Sequence, residues 1–375
     1  MKIDSLEALP AGQACYVRVT TDTGLVGVGE STYFGWPSAV AEIVRSFSAQ
    51  LVGTDAMEVE RHWLRLYRAL SMRGMAVTSA LSAIDQALWD IRGKRFEVPV
   101  WELLGGRCRR GVRAMLVVAG SSPDEVAAVC RDGVAAGYGA LKLILFTHEL
   151  HQRRQGSRVE ELIARFSAAR EEVGWDVDLA VELHRNLSPG DAVSFCHEAA
   201  RLRPLFVEDP IPPDSVLSLG AVGARVPVPM AAGERNTTIY EFRELAEQPG
   251  MAFLRPDVGI AGGITQVRKI CALAEAHHQG VAPHAVPSGP VAVAAHVQLG
   301  MAVPNWEVQE HVPQDGRAWT DLVDAVVSVR DGYLVAPDVP GLGVELIDEG
   351  LGMHPPAGVD LGGTPLREDE SVAIR

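Results

Sequence analysis

DLAVELH (178–184), LFVED (205–209), VPMAAGE (228–234), AFLRPD (252–257), GVAPH (280–284) and NWEVQE (305–310) are six short runs with one layout. Each is a β-prone stretch that delivers a charged or titratable side chain at or near its end: Glu182, Glu208, Glu234, Asp257, His284 and Glu310. Successive members of this set are 26, 26, 23, 27 and 26 residues apart, the length of one strand-helix unit. A period equal to the βα repeat puts all six on one rung, at the C-terminal mouths of parallel strands, where barrel active sites are built.

Two further runs of this kind, 114–119 and 140–146, precede the six and bring the count of expected strands to eight, alternating with alanine-rich amphipathic segments. Eight consecutive strands with no glycine-rich phosphate fingerprint after the first favour a closed α/β barrel over an open doubly wound sheet. Upstream, to about Gly106, the pattern is mixed. An alternating run at 14–20 meets the turn TDTG (21–24), and helical stretches follow, as in an α+β domain. VTSALSAIDQALWDIRGK (77–94) reads as a helix that stops at Gly93 and connects, through Pro99 and LLGG (103–106), to the barrel. Downstream, QDGRAW (314–319) leads to Asp331-Gly332-Tyr333 and PGLG (340–343). The expected division is an α+β domain over 1–111, the barrel over 112–320, and a C-terminal segment, 321–375, packing back on the N-terminal domain.

The length of 375 residues suits a barrel with an accessory domain, and 47% hydrophobic with 22% charged residues is ordinary globular composition. A formal net charge of -14 with no basic stripe argues against a nucleic-acid partner. No window has the apolar length of a membrane helix, and MKIDSLEALP has no apolar leader core. Cys15, Cys108, Cys130, Cys196 and Cys271 are scattered and odd in number, which fits a soluble protein of the reducing cytoplasm.

Three carboxylates on successive strands, those of Glu182, Glu208 and Glu234, cannot gather ionised without a cation, because like charges in a confined site raise one another's pKa. All-oxygen ligands select a hard ion, and Mg2+ is the usual occupant of such a set. Acidic residues at strand ends also cap the next helix, but glutamate caps poorly, and Asp209, Thr237 or Thr238 suit that task better than Glu208 and Glu234. His184 lies two residues beyond Glu182, so both side chains share one strand face. Asp257 stands one strand before His284 and can orient and raise the basicity of its imidazole. Lys142, in LKLILF, also reaches the mouth, to hold a substrate carboxylate or carry a proton. The other histidines, among them His148, His151 and His296, read as surface or core residues. The chemistry these parts allow is removal of a proton from carbon next to a carboxylate, with charge stabilised by a divalent ion and a histidine base.

In Gly27-Val28-Gly29-Glu30, ALWDIRGK with P-V-x-x-LLGG, FVEDP, AAGER, PDVGIAGGIT, APH and EVQE, the chain resembles the enolase superfamily, in particular its mandelate racemase branch and the acid-sugar dehydratases within it. The resemblance implies a (β/α)7β TIM-type barrel with an N-terminal α+β capping domain. It places the metal ligands on Glu182, Glu208 and Glu234, the Asp-His dyad on Asp257 and His284, and Glu310 against the substrate carboxylate. VELHRNLSP resembles the dehydratases, in which the histidine two residues past the first ligand expels hydroxide, and this assigns His184. Two positions depart from the pattern: Glu182 stands where the branch usually has aspartate, and Ile144 replaces the second lysine of the racemases' K-x-K. Capping loops at 31–37 and 71–77 are expected to choose the substrate, with Tyr33, Trp36 and Arg73 as candidates and Arg185 as a further contact.

The leading expectation is a Mg2+-dependent dehydratase, with Mn2+ as a substitute ion, that converts a sugar acid to a 2-keto-3-deoxy acid and forms a homo-oligomer. The alternatives are a racemase or epimerase using His284 and Lys142, and a slow or non-catalytic paralogue that binds sugar acids.

Overall fold

Three antiparallel strands, β1 (Ile3–Ala11), β2 (Ala14–Thr21) and β3 (Val26–Ser31), open the chain in the order β1-β2-β3. The computed structural model describes residues 1–33, 35–71, 74–314, 318–358 and 365–373. Helices α1 (Pro37–Leu51), α2 (Val59–Ala69) and α3 (Met75–Phe96) complete the N-terminal domain. Strand β3 lies on α3 so closely that a Cβ at Gly27 or Gly29 would run into the backbone carbonyls of Ala87 and Ala83. The GVGE run is thus first a packing device, with side chains removed to let a strand approach a helix.

Helix α3 does not stop at Gly93. It runs on to Phe96 and ends at Glu97, whose φ of 58° is left-handed. Gly93 instead admits the C-terminal segment, because a Cβ there would lie 2.7 Å from the Cα of Gly341. A glycine near the end of a helical pattern was the right composition for a stop, but tertiary approach had claimed it.

After α4 (Val100–Leu103) the chain enters the repeating units: β4 (Val112–Ala119), α5 (Pro123–Ala135), β5 (Ala140–Ile144), α6 (Gln155–Val173), β6 (Asp178–Glu182), α7 (Pro189–Ala199), β7 (Val207–Glu208), α8 (Val216–Gly223), β8 (Met230–Ala232), α9 (Ile239–Ala246), β9 (Met251–Leu254), α10 (Gly263–Ala276), β10 (Gly280–Val281), α11 (Pro290–Ala302) and β11 (Gln309–His311). Strands β4 to β10 pair in chain order, all parallel; β11 pairs with β4, and a bridge from Trp306 to Val281 closes the ring. This is a (β/α)7β barrel. Its interior is filled by inward side chains from around the ring, Met115, Ala140, Ala180, Phe206, Ala231, Ala282 and Val308, with Phe253 packed against them.

The C-terminal segment does more than return to the N-terminal domain. Strands β12 (Ser328–Arg330) and β13 (Tyr333–Val335) form a hairpin through Asp331 and Gly332, both at positive φ, and β13 pairs antiparallel with the start of β4. Further on, α12 (Asp348–Met353) and its flanks reach the first sheet: Arg18 pairs with Asp348, and Gly12 exchanges backbone bonds with His354 and Ala357 at 3.0 and 2.7 Å. Among the described residues no helix is long and apolar enough to cross a membrane. All five cysteines are free.

Candidate active site

The six residues of the periodic set gather at one end of the barrel. Carboxylate oxygens of Glu182, Glu208 and Glu234 all lie within 4.8 Å of one another. Register explains part of this, because Glu182 on β6 is paired directly with Glu208 on β7. Capping does not account for the glutamates: α7 and α8 are capped by Ser188 and Ser215, whose hydroxyls accept from Asp191 N and Ser218 N, and the residue before α9 is Thr238, without a side-chain cap bond. Asp209, favoured above as a cap, is buried beside Arg185 instead, 3.9 Å from its guanidinium.

Beneath the cluster, Lys142 Nζ lies 3.1 Å from Glu182, 3.0 Å from Glu208 and 3.1 Å from Glu310. All three ammonium hydrogens therefore have an acceptor. Burial works against the charged amine, but Glu208, Glu310 and Glu182 outweigh it and raise the lysine's pKa. Arg255 is also fully buried and donates to Glu208 at 2.5 Å, to Ala282 O at 2.6 Å and to Glu310. These two cations are shared unequally. Glu208 has both, and although burial would raise it, Arg255 and Lys142 hold it below the usual carboxylate range. Glu182 has only Lys142 against burial and the charges of Glu208, Glu234 and Asp209, and its pKa is raised. The carboxylates thus outnumber the cations among them, and a divalent ion between Glu182, Glu208 and Glu234 would offset the excess. The longer Glu182 side chain, in place of aspartate, still brings its oxygen into the cluster.

His284 Nδ1 lies 2.8 Å from Asp257 Oδ2, and its Nε2 is 3.6 Å from Glu234. Burial disfavours the imidazolium, but the Asp257 hydrogen bond, with Glu310 and Glu234, pushes the group up to about 9. His184 behaves oppositely: burial, then Lys142 and Arg185, push it down to about 4. His184, Arg185 and Asp209 all have left-handed backbone, with φ of 48°, 66° and 37°. Such conformations in non-glycine residues cost energy and concentrate at functional sites. The turn at His184 also ends β6 two residues earlier than the sequence run, and His184 N donates to Glu182 at 2.8 Å.

A cavity of about 930 Å³ opens over this end and is lined by His184, Arg185, Glu234, His284 and Tyr33. Arg185 also pairs with Glu234. Trp36 is half exposed and does not line the cavity, and Arg73 lies outside the described residues. Lys142 is 3% exposed and is likewise absent from the lining. His148 and His151, read above as ordinary histidines, line the far wall, where they approach each other with ring centroids 5.9 Å apart. Their position just past the second barrel strand was the signal that could have found them. Arg255 follows β9 directly, two residues before Asp257, and its place just past a barrel strand was the signal that could have found it.

Comparison with known proteins adds the following. Residues 5–105 match the N-terminal domain of mandelate racemase / muconate lactonizing enzyme, and residues 125–350 the enolase C-terminal domain-like family. The chain is 34% identical over 341 residues to a D-galactonate dehydratase of Variovorax paradoxus, with 89% of each chain covered. It is 35% identical over 342 residues to one of Verminephrobacter eiseniae, with 88% of each covered. An enolase from Agrobacterium radiobacter, described as a candidate galactarate dehydratase and crystallised with sodium and L-malate, superposes with a TM-score of 0.93 at 29% identity, covering 100% of both chains.

Proposed function

The chain belongs to the mandelate racemase / muconate lactonizing enzyme family of the enolase superfamily, and from that premise we propose that it is a hydro-lyase that dehydrates a sugar acid to a 2-keto-3-deoxy acid. The observation that carries this reading is the pair of imidazoles, His184 and His284, facing one cavity above a three-carboxylate set. Elimination of water needs a base for the C2 proton and an acid for the C3 hydroxyl, and two positioned histidines supply both.

Glu182, Glu208 and Glu234 would hold Mg2+, or Mn2+ in its place, which supplies charge stabilisation to the substrate carboxylate as its α-proton leaves. Asp257 fixes the tautomer and orientation of His284, whose Nε2 takes the C2 proton. His184 protonates the departing hydroxide. Glu310, buried off the cavity wall, holds Arg255 and Lys142 in place beneath the ligand set, while Tyr33 and Arg185 contact the hydroxyl chain. The family's habit of assembly makes a homo-oligomer the expected solution state.

The burial of Lys142 bears on the epimerase reading, which needs a second base facing the substrate. An ammonium with three carboxylate partners and no share of the cavity wall is poorly placed for it. Glu182, the departure from the family pattern that would favour a non-catalytic paralogue, still brings its oxygen into the cluster. A second assignment within the dehydratase reading has a specific observation behind it. In the ion-free protein His284 favours its protonated form and His184 its neutral form, so the two could exchange roles on a substrate of opposite C2 configuration.

The test is a screen of aldonates and aldarates, D-galactonate and galactarate included, for a new 2-keto acid in the presence of Mg2+. Histidine variants then assign the roles. With His284 as base, His284→Asn loses both product and exchange of the C2 hydrogen with deuterated solvent, whereas His184→Asn loses product and retains exchange. The reverse pattern moves the base to His184. Solvent deuterium at C2 with every substrate oxygen retained would replace dehydration with epimerisation.

A further inference from the structure

Asp257 does not belong to the barrel's hydrogen-bond network alone. Its Oδ2 is taken by His284, while Oδ1 accepts from Gly259 N at 2.7 Å and from Thr32 Oγ1 at 2.9 Å. Thr32 comes from the other domain: it follows β3 and is separated from Asp257 by 225 residues of chain. Both residues are buried, Asp257 at 0% and Thr32 at 5% exposure. A carboxylate only accepts, so the direction of this bond is fixed and the threonine hydrogen is committed to Asp257. The approach is prepared on the barrel side as well, because position 259 is glycine and a Cβ there would collide with Thr32.

The same short segment is anchored a second time. Glu30, two residues earlier and fully buried, accepts from Gly289 N at 2.6 Å, Val291 N at 3.1 Å and Ala292 N at 3.0 Å, at the start of α11, just after the loop that carries His284. Thr32 thus touches the dyad at Asp257 while Glu30 ties the same segment to the start of α11, and the next residue, Tyr33, lines the cavity.

We infer that Thr32 of the N-terminal domain is a positioning residue for the base, orienting the Asp257 carboxylate so that its other oxygen meets His284. The inference rests on the reading of His284 and Asp257 as the proton-transferring dyad. Its physical content is that the segment sets the base as well as lining the cavity. If the segment lifts, Oδ1 loses one of its two close donors and the carboxylate can rotate about its terminal bond, taking the imidazole out of line.

The test uses Thr32→Val, which keeps the shape and removes the hydroxyl, with Thr32→Ser as the conservative partner. Two measurements are made on the full-length protein, each after circular dichroism and a thermal melt show a folded chain. In the first, the His284 Nδ1 proton is followed by proton NMR and identified by its loss in His284→Asn. Thr32→Val should shift or broaden this low-field signal and Thr32→Ser should restore it. In the second, on whichever sugar acid the screen identifies, Thr32→Val should lower kcat by roughly ten- to a hundredfold, as is typical for loss of an orienting partner, with KM little changed. An unmoved signal in Thr32→Val, or a Thr32→Ser variant as impaired as Thr32→Val, overturns the inference. Absence of turnover in the wild type on every sugar acid defeats the dehydratase reading alone, because the NMR comparison still decides the role of Thr32.

Discussion

Arg255 is the residue on which the most of this site converges. Its three guanidinium nitrogens reach three strand ends: Nε meets Glu208 at the end of β7, Nη1 meets the carbonyl of Ala282 just past β10, and Nη2 meets Glu310 on β11. The guanidinium also lies over Phe206, 5.5 Å from the ring centre, which fixes its plane. Lysine cannot reproduce a planar fork with divergent donors. Arg255→Lys should therefore weaken Mg2+ binding by roughly ten- to a hundredfold, read by calorimetric titration of the ion-free protein. Arg255→Met leaves Glu208 and Glu310 facing each other with Lys142 alone, and should cost about 3–5 kcal/mol in urea denaturation. The strand-end residues were legible in sequence because their spacing repeats with the barrel. Arg255 follows β9 directly, but the repeat is carried by Asp257 two residues later, so the spacing alone passes over it. Thr32 was not legible, since its partner is 225 residues away and no local period connects them.

At the scale of elements, the join between α3, β3 and the barrel is made by buried carboxylates. Glu30 caps α11, Asp85 accepts from Thr265 N at 2.9 Å, and Asp90 accepts from Val28 N at 3.0 Å and from Leu342 N at 2.8 Å while pairing with Lys94. Burial pushes Glu30 up to about 7, against the opposing effect of the α11 N–H groups. A folded-state value above the unfolded one means that folding favours the protonated form. The stability Glu30 contributes is complete below about pH 4 and is lost as pH rises through about 7. Glu30→Gln should remove this part of the slope, on the order of 2 kcal/mol between pH 5 and 8, in urea midpoints measured across that range. Some slope should persist, because burial also raises Asp85, to about 7, and Asp90, to about 6. The helix at 75–96 was readable from its composition, but its use as a polar seam was not. Its buried acids find their partners only once β3, α10 and the C-terminal segment are in place.

For the whole molecule, the barrel mouth concentrates acidic groups in a protein that already has a net charge of -14. Chelation should abolish turnover, and added Mg2+ or Mn2+ should restore it; full activity in metal-free buffer would remove the ion from the reaction. Because the ion binds the folded chain, Mg2+ at a hundred times its dissociation constant should stabilise the protein by about 2.7 kcal/mol in the same urea assay. Glu208→Gln should lose most of that gain. The order of barrel strands was legible because each unit is local, whereas the attachment of β13 to β4 was not, because it joins distant parts of the chain. That attachment bears on how the protein is made. The first barrel strand to leave the ribosome, β4, takes one neighbour from β5 at once, but its other neighbours, β11 and β13, are synthesised only after the six intervening strands. The nascent chain must carry an open sheet with an unpaired leading edge until β11 follows the six intervening strands, and ring closure waits for that pairing.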